Sequence, residues 1–181
     1  MKAQASVQSS LKAINLSRLT PGSTHHIWDT DLNAKDVNRA TIKLRLATGT
    51  YPLNTMLFKF STVSSPSCEN CEDDAAEDIY HLILGCDTYT DIRNDLIPLI
   101  MAIEKRYINA TTEQSLLQFI IDPSVLCPNM DYKDLQLAES LSRRLLFNIH
   151  SRRDHLRDWK KREKDRSHVN STNSRMGGAG T

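Results

Sequence analysis

The sequence predicts a mainly α-helical fold: a small helical domain with a cysteine-rich knuckle embedded in it and a long helix at its C-terminal end. Three observations carry this. Apolar residues recur at helical spacing in segment after segment. Only six glycines and six prolines occur in 181 residues, so breakers are few. Three of the four cysteines fall between positions 68 and 86, in the pattern C-x2-C-x9-H-x4-C: Cys68, Cys71, His81 and Cys86. Two intervening residues let one tight turn bring both sulfurs of a C-x2-C pair to a single ion, and four such ligands match what tetrahedral Zn2+ takes in structural sites.

The composition, 39% apolar and 25% charged, is that of an ordinary globular domain. The net charge of +1 hides segregation, because acids gather in the knuckle and bases at the C-terminal end. No apolar run approaches the ~18 residues of a membrane span, and residues 1–20 lack the apolar stretch of a signal peptide. An intracellular, reducing compartment is therefore expected, where clustered thiols bind metal rather than pair. The Asn-x-Ser/Thr triplets at Asn15, Asn109 and Asn170 then read as chance matches. The expected organisation is an N-terminal extension (1–24), a helical domain (25–157) around the knuckle (68–86), and a basic helix end with a disordered tail (158–181).

In chain order, residues 2–19 are small and polar, a helix only if partnered, and Pro21-Gly22-Ser23 breaks the chain. His25-His26 shows no third ligand nearby, so the segment reads as a loop or extended stretch with Trp28 anchored to the core. Residues 31–48 read as a helix capped by Asp31 or Asn33, with Val37, Ala40, Thr41 and Leu44 recurring at helical spacing and Gly49 as a left-handed stop. Arg39, Lys43 and Arg45 give this helix a basic face. Asn54 is placed to cap a short helix over 55–60, whose Leu57, Phe58 and Phe60 are expected in the core.

After a loop over 61–67 come Cys68 and Cys71 in a turn, then a helix over 75–84 carrying His81. On a regular helix His81 and Cys86 stand ~140° apart, too far to share an ion. Gly85 is expected to end the helix and swing Cys86 back. Pro98 sits poorly inside a helix, so a helix over 88–96 should kink or break at Ile97 before another over 98–106. Thr112 is placed to cap the next helix, which ends at Asp122-Pro123. Cys127 reads as a buried or idle thiol. The last helix runs from Asp134 to about Lys164, with Ala138, Leu141, Leu145 and Ile149 on one stripe. From Arg143 to Arg166 there are ten Lys or Arg against four Asp or Glu. Beyond 166 the chain is polar and expected to be disordered.

The residues Leu44-Arg45-Leu46-Ala47-Thr48-Gly49-Thr50-Tyr51-Pro52-Leu53-Asn54, followed by Cys68-x2-Cys71, Glu77, His81-Leu82-Ile83-Leu84 and Cys86, resemble the C-terminal zinc-binding (CCHC) region of non-LTR retrotransposon reverse transcriptase polyproteins. The segment 141–153 is similar to the helix that follows in some animal members. The resemblance spans about residues 27–157. It implies a position downstream of endonuclease and reverse transcriptase modules, whose Asp-Asp motif and paired carboxylates are missing here. The chain is then a fragment of a mobile-element protein, or a reading frame derived from one, without polymerase activity of its own.

Four protein ligands leave no position for water, so the zinc is expected to be structural and the chain not to be an enzyme. Residues 69–80 hold six acids and no Lys or Arg, which repels phosphate. Contact with RNA or DNA is instead expected at Arg39, Lys43 and Arg45, and at Arg152, Arg153, Arg157, Lys160, Lys161 and Arg162, with Trp159 available to stack on a base. The reverse transcriptase module of a parent polyprotein is a further expected partner, and no membrane is. The alternative is a zinc-stabilised structural or protein-interaction module, whose acidic knuckle docks a basic partner.

Overall fold

A computed structural model of the chain describes residues 13–14, 22, 24–28 and 34–176, with side chains up to residue 163. It is mainly helical. Among the described residues the helices are α1 (Ala34–Ala47), α2 (Asn54–Lys59), α3 (Thr90–Glu104), α4 (Glu113–Ile121), α5 (Pro123–Leu126) and α6 (Tyr132–Met176). Short 3-10 turns occupy His26–Trp28 and Asp87–Tyr89, and a single π turn occupies His81–Gly85. The only sheet-like pairing among the described residues is one antiparallel bridge, Ser67 to Ala76. The chain divides into two compact units, Met1–Ile149 and His150–Thr181.

The first unit is built around α4. This helix packs against α1, α3, α5 and the π turn, and its Phe119 and Ile120 are completely buried. Thr112 caps it as its sequence predicts: the Thr112 hydroxyl accepts from the Ser115 amide, and the Ser115 hydroxyl accepts from the Thr112 amide. The core that forms around α4 includes Leu46, Leu82, Ile83, Tyr89, Ile100, Leu145 and Leu146, and it takes in Cys68 and Cys86. The knuckle is therefore part of the wall of the core.

Helix α1 ends where glycine permits. Gly49 takes φ +67°, and the Thr50 amide reaches back to the Arg45 carbonyl at 2.9 Å, with the Gly49 amide on Leu46 at 3.2 Å. The buried face of α1 differs from the expected stripe. Ala40, Ile42, Lys43, Leu46 and Ala47 are inside, while Val37 is exposed. Lys43 turns inward because it has a carboxylate to meet: its Nζ stands 2.8 Å from Glu139 Oε2, both side chains buried. The expected caps Asp31 and Asn33, and the expected helix over 2–19 apart from residues 13–14, lie outside the described residues.

Four other expectations are corrected. Helix α3 runs through Pro98 without a break. Pro98 and Asn94 are both exposed, so the carbonyl that Pro98 cannot serve can take water instead. Phe58 and Phe60 are exposed, Phe60 at 72%, because six residues make too short a helix to turn every apolar side chain inward. At the N-terminal end Ile27, fully buried, is the anchor, and Trp28 is exposed. Finally α6 continues to Met176, past the expected end, since no proline or glycine interrupts it before Gly177. Among the described residues no helix is long and apolar enough to cross a membrane.

Candidate metal centre

The loop that carries the first two cysteines is closed by two backbone hydrogen bonds across the Ser67–Ala76 bridge. The Cys68 amide donates to the Ala75 carbonyl at 2.7 Å, and the Glu77 amide to Pro66 at 2.9 Å. Glu77 then ties this loop to α2. Its buried carboxylate accepts the Asn54 amide at 2.8 Å, and its carbonyl accepts the Thr55 hydroxyl at 2.9 Å. Asn54 Nδ2 donates to the Ser67 carbonyl. Asn54 thus makes no side-chain cap on α2; it is one half of a brace. Glu77 points inward, so five of the six acids in 69–80 remain on the surface: Glu69, Glu72, Asp73, Asp74 and Asp78.

The segment expected as a helix over 75–84 is helical only from Ile79. Asp78 caps it by accepting the His81 amide at 2.8 Å. The geometric problem of His81 and Cys86 is solved by widening the turn. The Cys86 amide donates to the His81 carbonyl, five residues back, at 2.7 Å. A π turn takes more residues per revolution than an α turn, so residues five apart return to one side. Gly85 does not adopt a left-handed conformation; among the described glycines positive φ belongs to Gly22 and Gly49. A Cβ on Gly85 would meet His81 Nδ1 at 3.4 Å, ordinary contact. Gly85→Ala is therefore expected to shift the unfolding free energy by less than about 1 kcal/mol in urea titration. A glycine required for a left-handed stop would cost more.

These elements bring all four predicted ligand atoms together, every pair within 4.8 Å. Cys68 Sγ and Cys86 Sγ are 3.9 Å apart, and Cys71 Sγ and His81 Nε2 are 3.4 Å apart. For an ion bonded to sulfur at ~2.3 Å and nitrogen at ~2.0 Å, tetrahedral edges are about 3.8 Å and about 3.5 Å. Each sulfur also accepts a backbone amide from two residues further on: Asn70 to Cys68, Asp73 to Cys71, Thr88 to Cys86. Amides aimed at sulfur stabilise thiolate over thiol, which is the form a metal needs.

As free thiols the three would not ionise alike. The hydrogen bond with Cys86, then burial, push Cys68 up to about 12. Burial raises Cys71, whereas the hydrogen bond from Cys68 lowers Cys86. The surroundings are ordered too. Arg93 holds the Cys86 carbonyl at 2.6 Å, the Thr88 hydroxyl donates to the Asn70 carbonyl, and Asn70 Nδ2 donates to the Tyr89 hydroxyl. The Cys3His group can hold a metal ion, with no protein position left open on a tetrahedral one.

The predicted nucleic-acid residues fall in both units and differ in exposure. In the first unit Lys43 is buried against Glu139, which withdraws its charge from any phosphate. Arg39 is half-buried, bonded to Asp36 at 3.1 Å with its guanidinium 6.0 Å from the Phe147 ring. Arg45 is exposed, 5.8 Å from the Tyr51 ring. In the second unit Arg153 is buried, Arg152, Arg157 and Lys160 are half-buried, and Lys161, Arg162 and Trp159 are exposed. Cys127 is buried, and burial raises its thiol.

One cluster was not legible beforehand. His25 and His26 meet Asp122, their ligand atoms within 4.8 Å. The signal was faint: two adjacent histidines and an aspartate that also caps a helix, far apart in sequence. Comparisons with protein-family models, with curated proteins and with solved structures return no match for this chain.

Proposed function

We propose that the chain is a zinc-binding, nucleic-acid-binding accessory module, as its resemblance to the C-terminal region of non-LTR retrotransposon reverse transcriptases implies, with no polymerase chemistry of its own. The observation that carries the zinc half is the convergence of Cys68, Cys71, His81 and Cys86, each sulfur with its own amide donor. Three thiolates and an imidazole are soft and borderline ligands in the combination zinc takes in structural sites. Bound there, the ion would cross-link the Cys68–Cys71 loop to the π turn, and so α2 to the core under α4.

The nucleic-acid half rests on the exposed bases of the second unit, Lys161 and Arg162, with Arg152, Arg157 and Lys160 partly accessible beside them. Exposed Trp159 adds a stacking surface. Of the three predicted phosphate contacts on α1, Arg45 is the exposed one. The double substitution Lys161→Glu with Arg162→Glu in the full chain is expected to weaken RNA or DNA binding. Losing two phosphate contacts should also flatten the plot of log affinity against log salt by about 1.4 to 1.8. Unchanged affinity and slope would remove these residues from the interface.

The second reading, a protein-interaction module, draws on the acidic surface. Five exposed carboxylates surround the knuckle, with no base among residues 69–80, and two of the nine predicted phosphate contacts, Lys43 and Arg153, are buried. It expects no binding to RNA or DNA by the wild-type chain even at low salt.

A further inference from the structure

A thiolate bound to a metal keeps lone pairs on sulfur, so it can still be oxidised, and access and hydrogen bonding decide which sulfur reacts first. Hydrogen bonding does not separate the three cysteines of the knuckle, because each sulfur accepts one backbone amide from two residues further on. Access does separate them. Cys68 is 6% exposed, His81 7% and Cys86 0%. Cys71 alone of the four is partly exposed, at the edge of the core. It is the ligand at which the group meets solvent. Cys127, the remaining cysteine, is buried and outside the group.

Two features govern what an oxidant would meet there. The first is a second thiolate within reach. Cys68 lies on the same closed loop, its amide on the Ala75 carbonyl at 2.7 Å, and its sulfur is within 4.8 Å of that of Cys71. A C-x2-C pair is the one a single turn keeps together without an ion. Cys86 is instead fixed to the core side, its amide on the His81 carbonyl at 2.7 Å and its own carbonyl on Arg93 at 2.6 Å. The second feature is charge. Glu69, Glu72, Asp73 and Asp74 flank Cys71 in the loop and are all exposed, and no Lys or Arg occurs between Lys59 and Arg93. Such a field holds off anions and leaves neutral molecules unhindered.

We propose that Cys71 is an oxidative modification site, at which a neutral peroxide opens the Cys3His group and sets its metal free. This rests on the zinc reading above. The Cys71 thiolate attacks one oxygen of hydrogen peroxide; an S–O bond forms, the O–O bond breaks and hydroxide leaves. The Cys68 thiolate then attacks the sulfenic sulfur, forming the Cys68–Cys71 disulfide and expelling a second hydroxide. The two sulfurs together lose two electrons, and the peroxide takes both. His81 and Cys86 remain, too few to complete a tetrahedral site, and the loop is no longer tied to the π turn through the ion. A dithiol reductant reverses the step by thiol–disulfide exchange.

Hydrogen peroxide in less than stoichiometric amount, added to the zinc-bound full chain, tests this. Zinc content is measured first, and a chain without zinc would overturn the zinc reading and the proposal together. In the zinc-bound chain a colorimetric zinc indicator should show one ion released per peroxide consumed. Peptide mass spectrometry should find Cys68 joined to Cys71, with Cys86 and Cys127 still reduced. With dimedone present to trap sulfenic acid, the adduct should fall on Cys71. Cys71→His keeps four ligands without the exposed sulfur, so it should bind zinc and lose peroxide-driven release. A dianionic aromatic disulfide should react at Cys71 faster as salt screens the acids, while the peroxide rate stays flat. With zinc present at the outset, any of four results would overturn this proposal alone: dimedone first on Cys68 or Cys86, a disulfide to Cys86, release that persists in zinc-bound Cys71→His, or a salt-independent rate for the anionic reagent. If Cys71→His does not fold, the dimedone map of the wild-type chain decides.

Discussion

Cys86→Ser is expected to abolish cooperative unfolding of the first unit and to leave the protein without stoichiometric zinc. Cys86 is completely buried and joins the ligand group to the core. Its sulfur faces Cys68 at 3.9 Å, and its carbonyl is held by Arg93. If the four residues share a zinc ion as proposed, removing one would open its coordination sphere and leave two sulfurs and an imidazole that hold it poorly. Structural zinc contributes on the order of 10 kcal/mol of binding free energy in small domains. A domain's whole stability is about 5–15 kcal/mol, so the loss is large enough to unfold it. Chelation of the wild-type protein should give the same state. Near-ultraviolet circular dichroism and metal analysis check this together. Native spectra and a sharp thermal transition in Cys86→Ser, with or without zinc, would show that the four residues are neighbours without a shared ion.

The second large effect concerns a pair outside the knuckle. Lys43→Ala should destabilise the first unit by about 3–5 kcal/mol, the cost of breaking a buried pair from one side. Lys43 Nζ is 2.8 Å from Glu139, and both are buried. Glu139 is held below the usual carboxylate range despite its burial, through the charge of Lys43 and the bonds of His26 and Lys43. Without Lys43 that carboxylate keeps only Arg143 and His26. The double variant Lys43→Met with Glu139→Gln should recover part of the loss, because the Lys43–Glu139 pair is then removed from both sides, while Arg143 and His26 face a neutral amide in place of the carboxylate. Urea midpoints at constant slope provide the measurement. A loss in Lys43→Ala below about 1 kcal/mol would match a surface pair and contradict the inward placement of the side chain.

These two predictions also mark what the sequence made legible. The convergence of the four candidate ligands could be read because metal chemistry demands residue types at short spacing, and all four lie within 68–86. Thr112 and Gly49 could be read for a related reason: a cap and a left-handed stop are settled within a few residues. Lys43 could not. Helical periodicity assigns charges to the outside, and only a distant carboxylate, Glu139, reverses that assignment. Glu77 and Asn54 were misjudged in the same way. Each matched a local role, acidic surface and helix cap, but they meet each other and brace the knuckle.

The π turn is the most instructive case. The constraint was visible: His81 and Cys86 must face one point. Its solution was not, since a glycine stop and a wider turn both satisfy it. The hydrogen bond from the Cys86 amide to the His81 carbonyl distinguishes them, and no residue type announces that bond.

Cobalt titration of the full-length chain under reducing conditions tests the central claim most directly, because cobalt(II) reports its own geometry. A closed Cys3His site predicts saturation at one equivalent, with the intense visible absorption of a tetrahedral centre, thiolate-to-metal charge transfer in the near ultraviolet, and displacement by zinc. Weak absorption typical of six-coordinate cobalt, or no binding at all, would contradict it.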